Sequence, residues 1–380
     1  MSKPFDVAVV GGGAAGAACA VHLALQGLQV VVLEQGPVPR RKPCGGGMAA
    51  SVQQWFPFDL SPAVDQVIRR VRFTWCLQDP VIAELPGEAP FWIVQRSRLD
   101  AFLLQQATAA GAELRQNWPV TALQRQGEQW ELQGPAGSLR SRAVVIASGS
   151  GTNLSTDLGL GSAKPRYATT VAVEVDADSA NAPDTAPDMA RFDFGLVHHG
   201  FCWSFPRQGG YSIGVGTFIG RESADADAVL QRLLPELGLS PAAGDRQTSA
   251  LRVWDGHHRL HDDGVVVVGD AASLCDPFLA EGIRPALLSG TAAAEALKGW
   301  LAGDAGTLEA YSQRMRHDWG ESMAWGKRIA QVFYRVPKIG YQLGIKRPTA
   351  PQRIAQILSG QMGYGDIAQR VIKRLLFQRG

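Results

Sequence analysis

Several stretches of this chain carry residues whose types and spacing can do chemistry with a nucleotide. Residues 11–16 read Gly-Gly-Gly-Ala-Ala-Gly, after a valine-rich run at 5–10 and before a helical pattern that lasts to Gln26. Gly11 permits a tight turn, Gly13 (followed by the small Ala15) lets the backbone approach a pyrophosphate, and Gly16 lets the helix pack against a strand. The first turn of such a helix offers free N–H groups and the positive end of its dipole to phosphate. A second strand at 30–33 ends in Glu34-Gln35, where the Glu34 carboxylate can accept hydrogen bonds from ribose hydroxyls. Strand, glycine turn, helix and strand within about 30 residues make a dinucleotide-binding unit. That unit alone does not say which dinucleotide.

A second segment lies far downstream. Residues 264–272 read Gly-Val-Val-Val-Val-Gly-Asp-Ala-Ala, a buried strand that delivers Gly269 and Asp270 to its carboxyl end, where open α/β sheets bind ligands. A helical run at 282–301 starts close by, and its N-terminus would stabilise negative charge on a bound ring. At 94–100, Val-Gln-Arg-Ser-Arg-Leu-Asp leads into another helix, with Ser97 as candidate N-cap. Arg96 there either faces a cofactor or is a solvated charge at a helix start.

Two further strings bear on the reaction. In Lys42-Pro43-Cys44-Gly45-Gly46-Gly47, three glycines let the backbone pass close to a flat ligand, and a thiol beside N–H groups can have a lowered pKa. A flexible loop around a structural thiol fits the same string. In Phe201-Cys202-Trp203-Ser204-Phe205-Pro206, the three aromatics share one face of a strand. They line a cavity for a long apolar substrate or form an ordinary sheet core.

These residues need a scaffold, and the pattern along the chain supplies one. The fold class is α/β: a Rossmann-like nucleotide domain with a parallel sheet and a meander of short strands at 120–142, interrupted by a second domain. Residues 1–75, 96–158 and 255–306 are assigned to the nucleotide domain, with a strand at 143–148 returning to its sheet. Residues 76–95 and 159–254, with longer alternating strands at 167–175 and 201–218, are expected to form an antiparallel sheet over the ligand as a substrate domain. Residues 179–188, rich in Asp, Ala and Pro, read as a surface loop. Residues 307–380 read as helices with a basic tail.

Bulk composition excludes some classes. A net charge of +2 argues against nucleic acid as a partner. From Lys327 onward there are 11 Lys and Arg against the single acid Asp366, so the tail either meets an anionic partner such as a membrane surface or complements an acidic body. Five scattered cysteines, with no C-x-x-C pair and no metal-ligand spacing, fit a reducing cytosol. The first residues run straight into a strand and leave no space for a signal peptide. No run of about 18 uncharged apolar residues occurs. The expectation is a cytoplasmic protein, peripheral to a membrane if the tail has an anionic partner.

Residues 269–283, Gly-Asp-Ala-Ala-Ser-Leu-Cys-Asp-Pro-Phe-Leu-Ala-Glu-Gly-Ile, resemble the second flavin motif of glutathione-reductase-like flavoproteins. Residues 96–100 resemble their Arg-x-x-Leu/Phe-Asp segment. With the Lys-Pro-Cys-Gly-Gly loop, the aromatic-x-Trp-x-Phe-Pro strand and the tail string at 357–366, nearly the whole chain resembles the geranylgeranyl reductase family. That resemblance implies bound FAD, with Asp270 on the ribityl chain, Pro277 and the Gly282-Ile283 backbone against the flavin ring, Arg96 facing the cofactor, and Cys44, Gly45 and Gly46 beside the flavin. It implies reduction of isolated carbon–carbon double bonds in a prenyl chain, with hydride from reduced flavin N5 to one alkene carbon and a proton to the other. Cys44 is then the expected catalytic residue, and Glu281 and Tyr211 are further acid candidates. Phe201, Trp203, Phe205 and Tyr211 would contact the substrate. No metal is implied.

One departure bears on the electron donor. Related reductases and hydroxylases carry Ala-Asp-Gly where this chain has Ala147-Ser148-Gly149, which puts direct use of NAD(P)H in doubt and favours ferredoxin or another external donor. Three rival readings share the fold. A flavin monooxygenase would need an oxygen-stabilising site. A flavin-dependent halogenase would need a catalytic lysine, for which Lys42 is the nearby candidate. A non-enzymatic prenyl-lipid carrier like the Rab escort proteins would have lost its flavin, whereas Glu34 and Asp270 are both in place.

Overall fold

In the computed structural model the described residues are 3–176, 186–218, 224–242 and 244–377, the side chains of 224 and 371–377 excepted. Most of the loop expected at 179–188, and the basic Lys373, Arg374 and Arg379, lie outside that description.

The valines of Phe5–Val10 are buried on both faces, as a central parallel strand requires. This strand pairs in parallel with Val30–Leu33 on one side and Gly137–Ile146 on the other, and Gly137–Ile146 pairs in parallel with Val265–Val267. Because all four strands run the same way, their carboxyl ends share one edge. Gly11, Glu34 and Gly269-Asp270 therefore come out beside one another. The strand expected to begin at Ala143 starts earlier, since its first half pairs antiparallel with Gln129–Gly134 to close the meander.

Helix Ala14–Leu25 is buried almost all round by alanines and aliphatics. It lies against the sheet beside helix Ile283–Leu301, and the two helices touch backbone to backbone. A Cβ added at Gly290 would stand 2.2 Å from the Ala15 carbonyl oxygen, and one at Gly16 would stand 1.9 Å from that of Gly11.

The second layer is a seven-stranded sheet in the order Gln247–Val253, Arg166–Asp176, Gly210–Thr217, Gly200–Arg207, Met189–Phe194, Arg70–Trp75, Gln78–Glu84. It is the expected second, largely antiparallel sheet, with three differences in detail. Arg70–Trp75 belongs to it, ahead of the boundary placed at 76 from sequence. That strand pairs in parallel with Met189–Phe194, so the sheet is mixed and not purely antiparallel. The long strand expected at 201–218 is a hairpin that turns at Gln208-Gly209. Phe91–Val94 is not part of this sheet: it joins Gly47–Ala49 and Val64–Ile68 in a small sheet of its own. Helix Arg96–Ala109 is capped by the Gln95 backbone, with no side-chain cap bond, so Ser97 sits in its first turn and is not the N-cap.

The C-terminal helices clamp the downstream segment through its backbone. Tyr311 donates to the Val267 carbonyl at 2.8 Å, Trp319 Nε1 to that of Leu274 at 2.8 Å and Tyr334 to that of Phe278 at 2.9 Å. Tyr364 donates to the Asp276 carboxylate at 2.7 Å. Among the described residues no helix is long and apolar enough to cross a membrane.

Replacing Gly290 with Ala forces a methyl group into the Ala15 backbone. The expected loss is about 1–3 kcal/mol, read as a lower urea midpoint for G290A with an unchanged m value.

Candidate functional site

A cavity of about 350 Å³ opens along the strand edge and runs beneath the seven-stranded sheet. Of the residues singled out from sequence, Gly11, Gly13, Ala15, Glu34, Gln35, Arg96, Gly269, Asp270, Gly282 and Ile283 line its polar half, Cys44, Gly45 and Gly46 its middle, and Phe201, Trp203 and Phe205 its apolar wall. Gly16 is a packing residue outside the lining, and Pro277 is buried and does not line the cavity. Tyr211 is not brought there. It pairs opposite Pro206, one residue out of step with the aromatic row, and packs into the separate core beneath the sheet's other face. This parity corrects its assignment as a substrate contact and acid, because successive strand residues point to opposite faces.

Charge in the polar half is arranged around two buried carboxylates. Glu34 accepts the Gly12 N–H at 2.7 Å and that of Gly36 at 3.3 Å, and Arg40 Nε stands 3.6 Å away. Asp100 receives Arg96 through two bonds of 2.9 and 2.7 Å, and Arg40 Nη2 at 3.7 Å. Burial works against the Arg96 charge, but the Asp100 carboxylate outweighs it and raises the pKa of the guanidinium above its ordinary value. Both guanidiniums lean over Gly13: a Cβ there would lie 3.1 Å from Arg40 Nη2 and 3.6 Å from Arg96 Nη2. Helices Ala14–Leu25 and Ile283–Leu301 both start at glycines that line the cavity, without side-chain caps. Two positive helix ends and two guanidiniums thus face one space, a setting for a pyrophosphate.

The Cys44 loop is pinned between the polar half and the aromatic wall. Cys44 Sγ accepts the Gly46 N–H at 3.4 Å, and the Cys44 carbonyl accepts the Ser212 hydroxyl at 3.4 Å. Gly46 has φ +77° and its Cβ would strike the Val94 carbonyl at 2.1 Å, so no other residue fits. Lys42 reaches back to Asp270, Nζ to Oδ2, at 3.4 Å.

Glu281 is placed by a strained turn. Ala280 is left-handed at φ +56°, which costs about 1–3 kcal/mol for a residue other than glycine. Asp276 holds the turn by accepting the Phe278 and Leu279 N–H groups at 2.6 and 3.0 Å, while its own N–H donates to the Glu281 carbonyl at 3.0 Å. Only 8% of Glu281 is exposed. Its Oε2 meets Arg284 at 2.9 Å, whereas Oε1 has no partner, and the residue lines the cavity. Burial pushes its pKa up to about 7, against the pull of Arg284.

The cradle thus pairs a ribose-type carboxylate with a pyrophosphate-type cationic saddle, and continues into a slot between Cys44 and the helix start at Gly282, where a flat ring fits. An FAD dependent oxidoreductase family profile matches residues 6–73 and 88–300. The chain belongs to that family. It is an FAD-dependent oxidoreductase, and Glu34, Gly13, Arg96, Asp270 and the Gly282 backbone are the groups suited to hold FAD. Among its relatives, digeranylgeranylglycerophospholipid reductase 2 of Methanothermobacter thermautotrophicus is 29% identical over 349 residues, spanning 86% of this chain and 87% of the relative. Its fold is also that of a geranylgeranyl bacteriochlorophyll reductase-like protein from Thermoplasma acidophilum (TM-score 0.78, 19% identity, 95% of this chain and 93% of that one). A flavin-dependent brominase shares the fold as well (TM-score 0.71, 20% identity, 99% of this chain and 100% of that one).

Arg40 and Phe192 are among the lining residues that sequence reading missed. Arg40, over Gly13, was signalled only by the Arg40-Arg41 pair ahead of the cysteine loop. Phe192 packs on Phe201 and Phe205 at ring separations of 5.7 and 5.0 Å and was visible only as an alternating run just after the Pro-rich stretch.

Glu34→Ala removes a charged acceptor, worth about 1.5–3 kcal/mol. The Kd of the apo-protein for FAD is expected to rise about ten- to a hundredfold, measured by flavin fluorescence titration.

Proposed function

We propose that this enzyme reduces carbon–carbon double bonds in a prenyl chain. The observation that carries the reading is the shape of one cavity: a polar dinucleotide cradle that continues, past Cys44, into a wall of Phe192, Phe201, Trp203 and Phe205. An apolar chain lying along that wall would meet the ring slot without any buried polar group left unpaired on the wall. The reductase names of the relatives support the same substrate class. A halogenase reading, which the brominase-like fold keeps in view, needs a lysine free to act in the substrate space. Lys42 is instead paired with Asp270 on the cofactor side. A small polar aromatic substrate for a monooxygenase would find little to bond along the apolar wall.

The chemistry that bound, reduced FAD would supply is a hydride for one alkene carbon. The chain's own residues do the rest. The aromatic wall and the pinned Cys44 loop hold the alkene in register and exclude water. Glu281 supplies the proton to the second alkene carbon: the residue lines the cavity, its Oε1 is buried with no hydrogen-bond partner, and Arg284 fixes the other oxygen. Below about pH 7 the carboxyl keeps its proton, and above it the proton is lost, so turnover should fall as pH rises through that value. Ser148, where related enzymes carry an acid, turns its hydroxyl toward Thr152 at 2.6 Å, which favours an external electron carrier such as a ferredoxin over direct NAD(P)H.

Anaerobically reduced enzyme mixed with geranylgeranyl diphosphate or a prenyl ether lipid should yield products heavier by two mass units per bond reduced. No such gain on any prenyl compound, with oxygen-dependent hydroxylation or halogenation of another, would overturn the assignment. Glu281→Gln should slow turnover by about 10²–10⁴-fold, the range for a general acid, and abolish the fall in rate near pH 7 while FAD stoichiometry stays at wild-type level. Cys44→Ala should retain flavin and change either the rate or the number of double bonds reduced, both visible in the product mass spectrum.

A further inference from the structure

Helices Glu321–Arg335 and Pro337–Gly344 carry a row of apolar side chains that the fold leaves uncovered. Val332, Val336, Ile339 and Leu343 are 68, 43, 56 and 53% exposed. Val332 lies near the end of the first helix, Val336 at the break between the two, and Ile339 and Leu343 share a face of the second at a spacing of four. Phe333, Tyr334 and Tyr341 point the other way and are buried. Four of the six large exposed hydrophobics among the described residues are in this row. Scattered exposed aliphatics are ordinary, but four within twelve residues mark a surface that meets something.

The rim says what that is. Arg328, Arg335, Lys338, Lys346 and Arg347 are exposed around the row, and no Asp or Glu occurs from residue 327 to 365. The carboxylate that reaches in from another element is Asp79, bound to Lys346 at 2.6 Å. We propose that this basic-rimmed ridge seats the enzyme on the surface of an anionic phospholipid bilayer. The aliphatic row would enter the acyl boundary while the cations meet phosphate headgroups. A second copy of this chain is a poor occupant, because a two-fold contact would set one basic rim against the other.

The ridge also has a suitable address. Behind it, Phe333 packs on Phe194 and Phe278 at 5.3 and 5.2 Å, and Tyr334 on Phe218 at 5.4 Å. Phe194 and Phe218 in turn touch Phe201 of the cavity wall, at 5.9 and 6.1 Å. A docked molecule would present this aromatic sector to the lipid, the side from which an apolar chain would reach the wall. The docking stands apart from the reaction, and either can hold without the other.

Flotation of the FAD-loaded full-length protein with phosphatidylglycerol/phosphatidylcholine vesicles, and with phosphatidylcholine alone, tests the proposal. Wild type should float with the anionic vesicles only, and less at high salt. The variant Val332→Ser/Ile339→Ser/Leu343→Ser and the variant Lys338→Glu/Arg347→Glu should each bind at least tenfold more weakly. Both should keep wild-type flavin content and wild-type activity on detergent-dispersed substrate. Three results would overturn it: no vesicle binding by wild type, equal binding by both variants, or ridge-dependent dimerisation in sedimentation without vesicle binding. Loss of prenyl reduction in detergent would count against the reductase reading alone.

Discussion

Helices Ala14–Leu25 and Ile283–Leu301 meet where neither can hold a side chain, and the site exists because of that contact. Gly290 sits against the Ala15 carbonyl and Gly16 against Gly11. Such closeness aims two helix starts, distant in the chain, into one space. A methyl group at the crossing would push the helices apart and separate the pyrophosphate saddle from the ring slot. The parallel sheet repeats the constraint, since Val265–Val267 is held beside Gly137–Ile146 in a register that leaves Val268 level with Gly11 and Glu34, with Asp270 two residues further on.

On that frame the charges compensate locally. Two buried carboxylates, Glu34 and Asp100, would each be costly alone, and each faces Arg40, with Arg96 completing the pairing of Asp100. The guanidiniums keep unused donors for a ligand because they are shared and not saturated. Glu281 is treated differently. Arg284 satisfies one oxygen only, and the surrounding burial favours the neutral acid. The same region therefore holds carboxylates paired with arginines and one held closer to its neutral form, and environment separates them.

The nucleotide half was legible in the sequence because its signals are local. A glycine turn between a valine strand and a helix has few other physical uses, and Glu34 and Asp270 follow from where strands end. The second sheet was harder to read. Tyr211 was misplaced because 201–218 was read without its turn at Gln208-Gly209, and a shift of one residue sends a side chain to the opposite face. Arg70–Trp75 joins its sheet through a parallel pairing with Met189–Phe194, a long-range contact that no local pattern announces. The uncovered row at 332–343 escaped notice for a related reason. Periodicity shows an apolar face, but whether anything covers it is settled by packing alone.

The C-terminal helices grip the downstream segment largely by its carbonyl oxygens, at Val267, Leu274 and Phe278. A main-chain oxygen is the same whatever side chain its residue carries. The clamp can thus hold its shape while the neighbouring side chains are exchanged, and a single scaffold is left free to explore different reactions without being rebuilt each time.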